Sequence, residues 1–279
     1  MTALNSLDPT QWLLLSIVLG LCIGSFLNVV AYRLPIMMQR SWDADLAEAQ
    51  GREPEEYPRF NLLLPTSHCP ACKTPLKFWH NIPVVSYALL RGKCGHCSSE
   101  VSLRYPLVEL LCAGLFTAIA WFNPPGATSL ALMAFAASLL VLALIDLDTY
   151  LLPDNITLPL LWAGLLFNLF AQHVPLESAV SGAAMGYLVL WLIYQLFKLA
   201  TGKEGMGYGD FKLLAAIGAW LGLTSLLSIV LFASVSGIVF GLAIQSIRGK
   251  KRTDAFPFGP CLVMGAFAWM AGFDLSKWL

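Results

Sequence analysis

The stretch 12–31, WLLLSIVLGLCIGSFLNVVA, decides the fold. It carries no charged residue, and as an α-helix rising 1.5 Å per residue it reaches about 30 Å, the hydrocarbon thickness of a bilayer. No basic segment precedes it and no small-residue cleavage site follows it, so it reads as a mature membrane helix and not as a removable leader. Outward from it the pattern recurs at 106–122, 129–145, 156–172, 178–197, 226–247 and 259–273, with 211–224 as a shorter eighth segment. Tight connections at Asn123-Pro124-Pro125-Gly126, His173-Val174-Pro175 and Gly222-Leu223-Thr224 separate them. The expected fold is an all-α polytopic membrane protein of about eight transmembrane helices, embedded in the lipid bilayer.

Composition agrees. Of 279 residues, 57% are hydrophobic and only 12% charged, about half the charged share of a soluble domain, which excludes a water-soluble globule. Seventeen basic and seventeen acidic residues cancel, so nothing in the balance marks a nucleic-acid partner. Placement is more telling than total. With eight spans, the loop 33–105, the turn 146–155 and the stretches 198–212 and 248–256 share one face. The first holds Arg33, Arg40, Arg52, Arg59, Lys73, Lys77, Arg91, Lys93 and Arg104. Lys198, Lys203 and Lys212 lie in the third, and Arg248, Lys250, Lys251 and Arg252 in the fourth, so only Lys277 falls outside. Excess Lys and Arg beside spans marks the cytoplasmic side, so both termini are expected on the opposite side. The chain is expected to divide into a first helix (1–32), a small cytosolic loop domain (33–105) and a seven-helix membrane core (106–279). No internal repeat or low-complexity tract stands out. The acidic segment 42–56 is expected on the surface or at the membrane interface.

Seven cysteines fall into two groups. Cys22, Cys112 and Cys261 stand singly in apolar stretches and are expected to pack between helices as small hydrophobes. Cys69, Cys72, Cys94 and Cys97 form two C-x-x-C pairs separated by 21 residues, close to the spacing of tetrahedral four-cysteine zinc sites. The loop is too small to build a core of its own, and a metal closed by both pairs substitutes for one. A cytoplasmic loop keeps its thiols reduced, which argues against a disulfide pairing; a redox C-x-x-C or unliganded thiols are the alternatives. Four thiolates leave no open coordination position, so the metal is expected to be structural. His68 and His96 flank the ligands and read as solvated loop histidines.

The chemistry is therefore sought in acidic residues at membrane depth, which are costly there and tend to mark function. Two motifs qualify: Asp146-Leu147-Asp148-Thr149-Tyr150-Leu151-Leu152-Pro153-Asp154 at the end of the third span, and Gly205-Met206-Gly207-Tyr208-Gly209-Asp210-Phe211-Lys212 opening the sixth. Both lie at the same membrane face, so one carboxylate from each can meet across the bundle. Such a pair suits aspartic proteolysis: an ionised carboxylate takes a proton from water while a protonated one hydrogen-bonds the peptide carbonyl. Gly207 and Gly209 leave room for a substrate backbone beside Asp210. Structural readings stand beside these: Asp154 as a helix N-cap, Asp148 facing interfacial water, Lys212 either snorkelling to the interface or biasing Asp210, and Glu109 favoured by its helix dipole.

Three other functions compete. A proton-coupled transporter predicts paired repeats and broken helices at the bilayer middle, and the acids here lie at one edge. A zinc-ribbon scaffold explains the cysteines but not the aspartates. A zinc protease needs an H-E-x-x-H helix or an open metal position, and the chain has neither.

Read together, these motifs and Gly24-Ser25-Phe26-Leu27-Asn28-Val29-Val30, Tyr32-Arg33-Leu34-Pro35, Asn81-Ile82-Pro83 and Ser102-Leu103-Arg104-Tyr105-Pro106-Leu107-Val108-Glu109 closely resemble the bacterial type IV prepilin peptidases. These are bifunctional leader peptidase/N-methyltransferases of pilus and type II secretion systems. The resemblance runs nearly end to end. It implies an intramembrane aspartic peptidase of the GxGD kind with Asp146 and Asp210 as catalysts and Gly207, Gly209, Lys212 and Asp148 as supporting candidates. It also implies cleavage on the cytoplasmic side of the inner membrane, after the glycine that ends a short basic leader of prepilins and pseudopilins. N-methylation from S-adenosylmethionine follows, tied in the family to the cysteine loop. No glycine-rich nucleotide signature marks the S-adenosylmethionine site. Asn28, Arg33 and the segment 81–86 are its candidates.

Overall fold

The computed structural model describes residues 7–248 and 256–274; the basic cluster Lys250, Lys251 and Arg252 and Lys277 lie outside the described residues. Among the described residues regular structure is entirely helical: α1 (Pro9–Ala49), α2 (Val85–Leu89), α3 (Arg104–Phe122), α4 (Ala127–Thr149), α5 (Asp154–Ala171), α6 (Leu176–Thr201), α7 (Tyr208–Leu221), α8 (Ser225–Arg248) and α9 (Gly259–Met270). Six of these, α1, α3, α4, α5, α6 and α8, are long and apolar enough to cross a membrane. Helices α7 and α9 occupy the other two apolar segments, but at 14 and 12 residues they extend only about 21 and 18 Å, short of a full crossing. The chain divides into two compact units, Met1–Ala137 and Ser138–Leu279.

In the first unit α1 does not stop where the apolar run stops. It begins at a capping box in which the Asp8 side chain accepts from the Gln11 N–H, passes Pro35 and continues to Ala49, so its 41 residues span about 60 Å. The first part of the expected loop is thus helix. The segment after it turns back along that extension: the Arg40 guanidinium lies over the rings of Tyr57 (4.5 Å) and Phe60 (4.7 Å). Helices α1 and α3 run antiparallel, joined at one end by Trp12 Nε1 donating to the Asn123 carbonyl (3.2 Å) and at the other by Asn28 Nδ2 donating to the Tyr105 carbonyl (3.4 Å). Between these points Gly20 and Gly24, four residues apart, let the backbones touch: a Cβ at either would lie 2.5 Å from the Ala113 Cα or 2.7 Å from the Glu109 Cα. Small residues at this spacing are how helices associate in lipid, where burial of apolar area adds no drive. Cys112 is buried in this contact, as expected, whereas Cys22 is exposed.

In the second unit α7 is the centre. From Asp210 to Leu221 every residue but Lys212 is buried. Two neighbours hold it. On α6, Gly182 and Gly186 repeat the four-residue spacing, and Gly182 faces Gly218 so closely that a Cβ on Gly218 would sit 2.2 Å from the Gly182 carbonyl oxygen. On α5, Asn168 donates to the Ala219 (2.8 Å) and Trp220 (3.2 Å) carbonyls and accepts from the Val174 N–H, closing the C-terminal end of α7. The Trp220 indole stacks on Phe167 and donates to the Leu160 carbonyl (2.8 Å). A short helix fastened on several sides carries Asp210 in its first turn.

Candidate active site and metal centre

Asp146 occupies the last turn of α4 and Asp210 the first turn of α7. Both are buried, 5% and 7% exposed, and the two carboxylates lie within electrostatic reach of each other. One oxygen of Asp146 accepts a hydrogen bond from the backbone N–H of Gly259 (3.0 Å), the first residue of α9. Three stretches far apart in sequence therefore meet at this carboxylate. The linker between α4 and α5 completes the wall: Tyr150 turns the chain at φ 57°, and the Leu152 side chain fills the space a side chain at Gly209 would need, its Cβ 2.8 Å from that position. Thus Gly209 makes room for Leu152, and Gly207 is the glycine that borders the Asp210 carboxylate, 3.7 Å from where its Cβ would stand.

The remaining acidic candidates separate from this pair. Asp148 is exposed, two residues beyond Asp146. Asp154 is not the N-cap of α5; Pro153 holds that position, and the Asp154 carboxylate accepts from Lys212 Nζ at 2.8 and 2.7 Å. The Lys212 ammonium is thus engaged with Asp154. Glu109 does more than face a helix dipole. It is buried and accepts from the Val84 N–H (2.7 Å) and the Ser25 hydroxyl, tying α3 to α1 and to the segment around residue 84, which turns at φ 58°.

The four paired cysteines converge. Their sulfurs all lie within 4.8 Å of one another, and those of Cys69 and Cys97 are 3.9 Å apart. A tetrahedral thiolate site with metal–sulfur bonds of about 2.3 Å has edges of about 3.8 Å, so the donor set fits a metal. The two knuckles repeat one another at an offset of 25 residues. Cys69 N–H donates to the Thr74 carbonyl as Cys94 N–H does to Ser99, and Lys73 N–H to Cys69 as Ser98 N–H to Cys94. Leu76 N–H and Val101 N–H close the two turns on Ser67 and Gly92. Lys73 and Ser98, the residues after each pair, both have positive φ. This repeat is visible in the sequence only once Cys69 and Cys94 are aligned, since few other side chains match. Hydrogen bonds favour the thiolate at two of the four sulfurs: the Cys72 backbone N–H, and then the Ser99 hydroxyl, lower the Cys69 thiol to about 6, whereas Cys94, crowded by the neighbouring thiols, is raised. The Ser99 hydroxyl likewise lowers Cys97.

Of the S-adenosylmethionine candidates, Asn28 donates to two backbone carbonyls, Gly24 and Tyr105. Arg33 is buried and donates to the carbonyls of Asn61 (2.9 Å) and Pro65 (2.6 Å) beneath Phe60, so it organises the start of the cysteine loop. Gly259 was not singled out from sequence. Its signal was the Phe256-Pro257-Phe258-Gly259-Pro260 turn opening the last apolar segment, which reads as ordinary punctuation until its N–H is seen on Asp146.

Compared with known proteins, residues 18–123 match the model of the bacterial peptidase A24 N-terminal domain and residues 133–242 that of the type IV leader peptidase family. Curated relatives named prepilin leader peptidase/N-methyltransferase align nearly end to end. Those of Pseudomonas putida and Aeromonas salmonicida (strain A449) are each 48% identical, covering 95% and 96% of this chain and 92% and 94% of their own length. That of Burkholderia pseudomallei (strain 1026b) is 50% identical over 96% of this chain and 88% of its own. No solved structure matches the chain. With relatives this similar over this much of its length, and six helices fit to cross a bilayer, the chain is a membrane protein that belongs to the type IV leader peptidase family.

Proposed function

We propose that this protein is a prepilin leader peptidase and N-methyltransferase of the bacterial inner membrane, cleaving by an aspartic mechanism through Asp146 and Asp210. The observation that carries the peptidase reading is the pair of buried carboxylates, brought from α4 and α7 into electrostatic reach of each other in a chain of this family. Two such groups share one proton. The ionised member takes a proton from a water molecule as its oxygen bonds to the scissile carbonyl carbon. The protonated member hydrogen-bonds the carbonyl oxygen and passes its proton there; collapse of the tetrahedral intermediate then breaks the C–N bond, with the amine protonated as it leaves. Gly207 borders Asp210 without a side chain, which suits approach of an extended substrate strand.

The substrates are prepilins and type II secretion pseudopilins, cut after the glycine of a short basic leader on the cytoplasmic face, with both termini of the enzyme periplasmic. Cys69, Cys72, Cys94 and Cys97 hold a structural zinc ion that orders the loop between α1 and α3, and the first unit serves the methyltransferase step. S-adenosylmethionine supplies the methyl group for the new N-terminal amine. Incubating the purified protein in proteoliposomes with a membrane-embedded precursor whose basic leader ends in Gly-Phe tests both activities through the N-terminal mass of the product. The expected product is the leaderless chain, bearing one methyl group only when S-adenosylmethionine is present. An intact precursor overturns the peptidase assignment, and a cleaved but never methylated chain overturns the transferase.

A further inference from the structure

Each of the two carboxylates is held by a backbone N–H at a helix N-terminus, but only Asp146 takes its donor from a helix other than its own. Asp146 faces the N-terminus of α9, where three backbone positions offer one available donor. Gly259 has an N–H without an intrahelical partner, Pro260 has none to give, and the Cys261 N–H already bonds the Phe258 carbonyl (3.0 Å). The one available donor points at Asp146 Oδ2, at 3.0 Å and buried. A side chain at position 259 would close this contact, since its Cβ would lie 2.7 Å from Oδ2. A backbone N–H and the positive end of a helix both favour the anionic form of a carboxylate. Asp210 is held differently, by its own helix: it lies in the first turn of α7 and accepts from the backbone N–H of Gly207, the α7 N-cap. The other titratable group in reach of both aspartates is the Cys261 thiol on α9; Asp148 follows on α4 itself, and Asp154 on α5 is paired with Lys212.

We infer that Gly259 is a positioning residue: its backbone N–H, brought by a third helix, holds the Asp146 carboxylate in place beside Asp210 and stabilises its anionic form. This rests on the reading of Asp146 and Asp210 as the catalytic pair and deepens it by naming what orients one member.

The test replaces Gly259 by glycolic acid through nonsense suppression, exchanging the N–H for an ester oxygen without changing any side chain. Gly259→Ala and Asp146→Ala are measured alongside, all in proteoliposomes with the same precursor. The ester variant is expected to keep its KM and lose about tenfold in kcat. The acidic limb of its kcat/KM profile should move up by roughly one pH unit, because a carboxylate pair deprived of a hydrogen bond to its anion is protonated at higher pH. A variant that merely loosened the fold would lose activity without moving that limb. Gly259→Ala, which crowds Oδ2, is expected to lose at least as much in kcat. An ester variant that melts like the wild type and keeps its rate and pH profile overturns the inference. If the ester variant does not fold, an unimpaired Gly259→Ala does so instead. Full activity in Asp146→Ala sinks the catalytic pair itself, so the two failures are distinguishable.

Discussion

Replacing Gly218 by alanine adds one methyl group at the tightest helix contact in the second unit. The new Cβ would stand 2.2 Å from the Gly182 carbonyl oxygen and 2.5 Å from its carbon, against about 3.3 Å for an ordinary C···O contact, so α6 and α7 must part by roughly 1 Å. Both opposing atoms are backbone, so no rotamer change relieves the clash, and overpacking of this kind costs about 1–3 kcal/mol. The displacement reaches the chemistry because α7 carries Asp210 eight residues earlier, about 12 Å along the same rigid helix. A reacting group misplaced by up to 1 Å costs on the order of a hundredfold in rate. Gly218→Ala is therefore expected to cut precursor cleavage by about 10- to 100-fold. Methylation of a substrate supplied already cleaved should be unchanged. Gly114→Ala is the control: the α3 position has open space around its would-be Cβ, and cleavage there should match the wild type. The assay is initial rate in proteoliposomes with thermal unfolding of each variant. Wild-type cleavage and melting in Gly218→Ala would refute the argument that backbone contact at α6 and α7 sets the position of Asp210.

Removing the metal, by chelation or by Cys72→Ser, is expected to abolish methylation while cleavage survives, with loss of one bound zinc per chain by elemental analysis and faster hydrogen exchange across residues 67–101; parallel loss of cleavage would tie the loop to both steps. Lys212→Met is expected to change the cleavage rate by less than about fivefold, because its bond to Asp154 is a partly exposed ion pair worth at most about 1 kcal/mol; a loss of a hundredfold or more would instead make Lys212 part of the catalytic machinery.

Much of this molecule is legible in the sequence because a bilayer imposes length and apolarity on each crossing. The eight apolar segments, the two C-x-x-C pairs and the two acidic motifs are all local signals, and each coincides with a helix, a knuckle or a helix end. What sequence reading missed is non-local. Nothing near residue 31 announces that α1 runs on to Ala49, since the extension is stabilised by the returning Tyr57 and Phe60 rings under Arg40. Gly182 and Gly218 are distant in the chain, and only their meeting explains why neither carries a side chain. Asp154 precedes a helix and so reads as a cap, but its partner Lys212 is 58 residues away. The Gly259 amide leaves no side-chain trace at all, because the group that acts is backbone. Lengths were also only half readable: composition marks α7 and α9 as apolar, yet burial within the protein suits such a segment as well as lipid does, and these two helices are too short to cross alone.

The central claim is that one carboxylate from each of two helices performs the cleavage. Its most direct test measures cleavage of the membrane-embedded precursor by Asp146→Ala and Asp210→Ala, each shown to be inserted and to melt within a few degrees of the wild type. The account predicts that both variants fail to cleave within the detection limit yet still methylate a substrate supplied without its leader. Wild-type cleavage by either variant would contradict it.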